Sequence, residues 1–183
     1  MSLEIPPGGC VTLSAPSGAG KTRLLRAIAD LDIHEGHVYV DDRECGQWDA
    51  PMWRRNVALM MAENQWWGDT VGEHFARAET PWLQALGFDR DVLARQVSYL
   101  SSGERQRLAL LRLLGNQPRV LLLDEPTASL DEENVTRVEA LISSYRLESG
   151  AAVLWVSHDV AQVRRVASRH FTIAAGTFRA VSQ

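Results

Sequence analysis

The residues best suited to chemistry are Ala15-Pro16-Ser17-Gly18-Ala19-Gly20-Lys21-Thr22. A glycine-rich turn that ends in a lysine and a hydroxyl suits phosphate. Successive backbone N–H groups of Ser17, Gly18, Ala19 and Gly20 can converge on one anion. A helix opened by Lys21 would add its own unpaired N–H groups and the positive end of its dipole. Lys21 then supplies a mobile cation for the outer phosphates, and Thr22 a hydroxyl for Mg²⁺. A nucleoside triphosphate site is the expectation. The usual pattern opens on glycine, and Ala15 stands there instead. Held at positive φ, an alanine would cost roughly 1–2 kcal/mol; at negative φ it costs little.

Elements on either side must hold this turn. Cys10-Val11-Thr12-Leu13-Ser14 reads as an apolar strand, and Lys21 to Asp30 as a helix with apolar Leu24, Leu25, Ala27 and Ile28. Strand, turn and helix in that order form the context of a P-loop. Downstream, Val120-Leu121-Leu122-Leu123 is a continuous apolar run ending in Asp124-Glu125. Such a run suits a parallel strand buried on both faces, and ligands bind beyond the C-terminal ends of such strands. Asp124 is placed to hold Mg²⁺ through water, and Glu125 to polarise an attacking water. A second apolar strand, Ala152 to Val156, runs into Ser157-His158-Asp159, where a neutral imidazole can contact phosphate and orient water. Between these, Leu100-Ser101-Ser102-Gly103-Glu104 feeds a helix through Leu114. Ser101 and Ser102 can cap it, and Gly103 permits close backbone approach. Each piece alone has an ordinary reading: a ligand-free αβ turn, a surface glutamate, a serine-rich cap, a structural histidine.

Taken together, in this order and spacing, these segments resemble the ATP-binding cassette (ABC) ATPase family across essentially the whole chain. The resemblance implies an α/β P-loop core with a mixed, mainly parallel sheet and a small helical subdomain near 69–116, all in one domain spanning 1–183, short at its N-terminus. It implies ATP and Mg²⁺ as ligands, with Thr22 and Asp124 on the metal and Glu125 and His158 at the reacting water. It further implies that Ser101 and Gly103 serve the γ-phosphate held by a second copy, in a head-to-tail homodimer driven by ATP. A separately encoded membrane permease would complete a transporter. The stretches Gly68-Asp69-Thr70-Val71 and Val153 to Asp159 look most like small bacterial ATPases of iron export.

Two departures stand out. The family's glutamine after the next strand falls at Ala62, with Glu63 and Gln65 offset from it. No Tyr, Phe or Trp lies in residues 1–9 to stack on adenine, so either the start lies upstream or base recognition is weak. In the signature segment, Ser102 replaces a glycine and Glu104 the commoner glutamine.

With 183 residues and net charge −4, mixed in sign, the chain reads as one compact domain with no dominant nucleic-acid surface. The paired arginines read as solvated helix faces. Cys10 and Cys45 form no disulfide framework, and Cys10 reads as a small buried thiol. No signal peptide or run of about 20 apolar residues is visible, so the expectation is a cytoplasmic protein held at the membrane by its permease. Trp66-Trp67 would face that partner, whereas Trp48 and Trp53 read as packing residues. Two other readings stay open: a nucleotide-binding pseudo-ATPase, favoured by Ala15 and Ala62, and a soluble ABC ATPase of DNA repair or translation.

Overall fold

The computed structural model describes residues 2–76, 80–174 and 177–181. Its main sheet has the strands β1 (Cys10–Ser14), β4 (Val57–Met60), β5 (Val120–Asp124), β6 (Ala152–Val156), β7 (Arg169–Ala174) and β8 (Thr177–Val181). They lie in the order β4-β5-β6-β1-β7-β8. All neighbours are parallel except β7 and β8. A two-stranded antiparallel ribbon, β2 (Tyr39–Val40) with β3 (Arg43–Glu44), stands apart.

The central strands are apolar because helices cover both faces. Leu121 and Leu123 join a core with Leu108, Leu110, Val138 and Ile142, which come from α4 (Ser102–Leu114) and α5 (Glu132–Ser149). Leu122, Leu154 and Leu13 face the other way, onto Leu25 of α1 (Lys21–Ile28) and Trp53 of α2 (Ala50–Asn56). Each fully buried leucine contributes about 1.5–3 kcal/mol. Trp53 is wholly buried and donates from Nε1 to Ile28 O at 3.0 Å, and Trp48 stacks edge-on against it at 5.9 Å. Cys10 is buried as well, and desolvation pushes its thiol up to about 11.

Register sets where the strands end. Asp124 pairs with Val156, and Val156 with Leu13. The last residues of β5 and β6 therefore stand in one row with Leu13, the next-to-last residue of β1. Residues 69–116 hold a 3₁₀ turn at Gly72–His74, then α3 (Thr80–Ala85), 3₁₀ turns at Arg90–Ala94 and Val97–Tyr99, and α4. Residues 77–79 of that stretch, and 1 and 182–183 at the ends, lie outside the described residues. The last helix, α6 (Val160–Val166), follows β6. No helix among the described residues is long and apolar enough to cross a membrane.

Candidate functional site

The turn after β1 is shaped by its glycines. Gly18 and Gly20 have φ of 79° and 88°, and nothing would meet a Cβ at either within 4 Å. The backbone therefore curls around open space, with α1 starting directly behind it and no acidic residue in its first turn. Ala15 is not among the residues at positive φ, so the strain an alanine there could bring does not arise. Lys21 folds inward, donating from Nζ to Ala15 O at 2.8 Å and to Pro16 O at 3.3 Å. Those carbonyls hold the ammonium over the cradle, where a phosphate would compete for it.

Thr22 donates to Asp124 Oδ2 at 2.6 Å, across the gap between the start of α1 and the end of β5. Asp124 is only 5% exposed. A hydroxyl and a carboxylate converging on one point beside a phosphate cradle are hard oxygen donors of the kind Mg²⁺ takes, so the residues present fit that ion. Bound there with phosphate, Mg²⁺ would neutralise charge on the phosphoryl oxygens.

Glu125 follows at once, with φ of 50°. A non-glycine residue in the left-handed region costs about 1–2 kcal/mol and persists only where neighbours enforce it. Here its N–H donates to Val156 O at 3.2 Å and its carbonyl accepts from Gln106 Nε2 at 2.9 Å. The turn carries the side chain toward His158, whose Nε2 lies 3.2 Å from Glu125 Oε1. The approach is close but off-axis, and Oε1 has no hydrogen bond. Desolvation pushes the Glu125 carboxyl above its ordinary value; Asp124 pushes the same way, while His158 and Lys21 oppose. A half-buried carboxylate with raised proton affinity beside an imidazole is suited to accept a proton from water.

His158 is aimed by its neighbours. Buried Ser157 accepts from Asp159 N at 3.1 Å, and Asp159 caps α6 by accepting from Ala161 and Gln162 N–H. With both flanking side chains committed to the backbone, the imidazole stays half exposed at the strand end.

The Ser101–Gly103 segment stands elsewhere. Among the described residues, no hydrogen bond or ion pair joins it to Lys21 or Thr22. Ser101 is the N-cap of α4, accepting from Glu104 N at 3.2 Å, and Glu104 returns the bond by accepting from Ser101 N at 2.8 Å. Burial alone would raise Glu104, but the Ser101 N–H and Arg95 outweigh it and hold the carboxyl below its usual value. The Ser101 hydroxyl also bonds the Glu104 carboxylate. Gly103 is needed where it is, since a Cβ would lie 3.2 Å from both Leu130 Cδ2 and Ser129 O. The candidate residues thus fall into two separate groups, one at the strand ends and one at the start of α4.

A family model described as ABC transporter matches residues 1–128, the larger part of the chain. The chain belongs to the ABC transporter family. It is 34% identical to the hemin import ATP-binding protein HmuV of Rhodococcus jostii over 96% of its own length. It spans 66% of that relative, just under two thirds. It is 31% identical to the probable iron export ATP-binding protein FetA of Escherichia coli, over 87% of this chain and 76% of that one. The fold superposes with TM-score 0.81 and 26% identity on a dimeric, post-hydrolysis structure of the ATP-binding cassette MJ0796 bound to ADP and Pi. That match covers 98% of this chain and 87% of the other. Likeness to iron exporters is therefore one of several.

In this ABC chain the loop after β4 carries the Ala62 that sequence reasoning singled out. Ala62 is exposed there. Beyond it the backbone is held by His74, only 6% exposed, whose Nε2 accepts from both Trp67 N and Gly68 N at 2.9 Å. Its Nδ1 must then carry the proton, which it donates to Thr70 O at 3.0 Å. Arg112 donates to Gln65 O and stacks 4.8 Å from both Trp66 and Trp67 rings. The two tryptophans differ: Trp66 packs against the core, and Trp67 is 73% exposed. Sequence reasoning missed His74 and Gln106. Gln106 left a signal, since with Ala109, Leu110 and Leu113 it follows the helical spacing of the apolar face. His74 left none, because its partners are backbone groups.

Proposed function

We propose that this protein is the ATP-binding and hydrolysing subunit of an ABC transporter. The convergence of the Ser17–Thr22 turn, Asp124, Glu125 and His158 on one row of strand ends carries the reading. In it, Ser17, Gly18, Ala19 and Gly20 offer backbone N–H groups to the phosphates and Lys21 adds charge. Thr22 and Asp124 hold Mg²⁺. Glu125 accepts a proton from water, and His158 orients that water and steadies the γ-phosphate.

Ser101 and Gly103 have no ligand in their own chain. In a head-to-tail homodimer they would close over the phosphate of a second copy, each chain completing the other's site. Release of phosphate then loosens the dimer, and a separate membrane permease takes up the motion. That permease would rest on the face bearing Trp67 and Tyr99, 73% and 74% exposed, beside a groove of about 610 Å³ lined by Trp66, Asp69, Gln96 and Arg105. Residues 69–116 would act as the helical subdomain carrying that face, and the inner side of the membrane is where the chain would work.

Phosphate release from Mg-ATP by the purified protein, with light scattering before and after nucleotide, tests the reading. ATP-dependent dimers and sustained turnover support it. Binding without turnover would make the chain a pseudo-ATPase, the reading that Ala62 favours.

A further inference from the structure

The amide of Gln106 does something a core side chain has no need to do. The residue lies on α4, one turn beyond the Ser101 cap, and is 5% exposed. Its Nε2 donates to Glu125 O at 2.9 Å, while its Oε1 is buried with no hydrogen-bond partner. The Glu125 carbonyl also accepts from Ala128 N at 3.2 Å, so Gln106 adds a second bond there and leaves its own carbonyl orphaned. A net hydrogen bond contributes about 0.5–1.5 kcal/mol, and an unsatisfied buried polar atom costs about 1–3 kcal/mol. On balance the exchange brings no stability; what it brings is position. Glu125 sits at φ 50°, and its peptide is gripped on two sides: N–H by Val156 O on β6, carbonyl by α4. His158 follows β6 two residues after Val156. The carboxylate and the imidazole therefore share one reference strand, and Gln106 ties to α4 a peptide that its own turn holds only through Ala128 N.

We propose that Gln106 is a positioning residue that aims the Glu125 carboxylate through its backbone, tying the Ser101–Gly103 half-site to the strand-end half-site within one chain. The inference rests on the ATPase reading above. It supplies a physical link between α4 and the reacting water in a chain where Ala62 occupies the usual glutamine slot. Phosphate docking at Ser101 and Gly103 presses on the first turns of α4, and Gln106 carries that restraint to Glu125.

The test is a double-mutant cycle on the full chain, with steady-state phosphate release and Mg-ATP affinity measured for wild type, Gln106→Met, Glu125→Gln and the double variant. Methionine keeps the length and removes the donor. Turnover of Gln106→Met should fall about tenfold, the loss of one well-placed hydrogen bond, with ATP affinity unchanged. In the Glu125→Gln background the same change should cost nothing further, because the aimed carboxylate is already gone. An equal loss in both backgrounds, or none in either, overturns the proposal. A wild type that releases no phosphate overturns the ATPase reading and this inference with it. Should Gln106→Met fail to fold, Gln106→Glu replaces it. Ionised, that side chain cannot donate; protonated, it can. Its turnover relative to wild type must therefore rise as pH falls, and a flat ratio overturns the proposal.

Discussion

The strand-end row and the loop from Met61 to Phe75 both hold polar groups in fixed places, by opposite means. At the row, Leu13, Asp124 and Val156 are aligned by sheet register, and apolar strands buried on both faces hold that register. The functional side chains need only stand at the ends. In the loop the only sheet-like pairing among the described residues is one isolated bridge, Thr70 with Gln96, and side chains do much of the rest. Its backbone N–H groups at Trp67 and Gly68 find His74, and its carbonyls at Gln65 and Thr70 find Arg112 and His74. A scaffold made of main chain tolerates side-chain change, as Ala15 does at negative φ. A scaffold made of side chains does not. The comparison teaches that the row should lose function without losing the fold, whereas the loop should lose both.

The largest effect belongs to the row. Lys21→Ala removes the cradle's cation, and Mg-ATP affinity by calorimetry should fall about a hundredfold, with the melting curve unchanged. Unchanged affinity would remove Lys21 from the site. Next, Gly103→Asp sets a carboxylate where the second copy's phosphate would lie and crowds Leu130 and Ser129. Light scattering should show ATP binding without ATP-driven dimers, through like-charge repulsion. Dimers formed as readily as in wild type would separate α4 from any phosphate.

The loop is then tested by His74→Ala. Two buried N–H groups lose their acceptor, and denaturant unfolding should register a loss of about 1–3 kcal/mol. A stability equal to wild type would mean that the loop, like the row, is carried by something other than side chains.

The smallest effect is a shift in pH. Glu125 must be ionised to act as a base, and burial raises its proton affinity above the ordinary glutamate value of 4.5. The acid limb of turnover should therefore lie above that value. Removing the imidazole in His158→Ala takes away an opposing influence, so the limb should move further up. For stability the sign is the reverse. The native carboxyl holds its proton more tightly than the unfolded one, so its contribution is full below the ordinary glutamate value and is lost as pH rises through the raised one. An acid limb at the ordinary value in both proteins would refute the buried-base account.

The same division explains what sequence alone made legible. Strands β1 and β6 match their apolar runs at Cys10–Ser14 and Ala152–Val156, because a buried parallel strand writes its bounds in hydrophobicity. Asp124 and Glu125 were readable for the same reason, as the first polar residues after such a run. The helix expected to Asp30 ends at Ile28, since Asp30 takes φ of 57° and closes the turn. The differing burial of Trp66 and Trp67 was not legible, since it turns on Trp66 alone packing against a core built from distant segments. Nor was the φ of Glu125, whose peptide bonds Val156, Ala128 and Gln106 together.

The central claim is that the row works as a hydrolytic site with Glu125 as its base, despite Ala62. The direct measurement is single-turnover phosphate release from Mg-ATP by wild type and Glu125→Gln at equal nucleotide occupancy. The variant keeps shape and loses the proton acceptor, so its rate should fall by about 10²- to 10⁴-fold while ATP stays bound and dimers accumulate. Equal rates in the two proteins would contradict the account and leave His158 to activate the water.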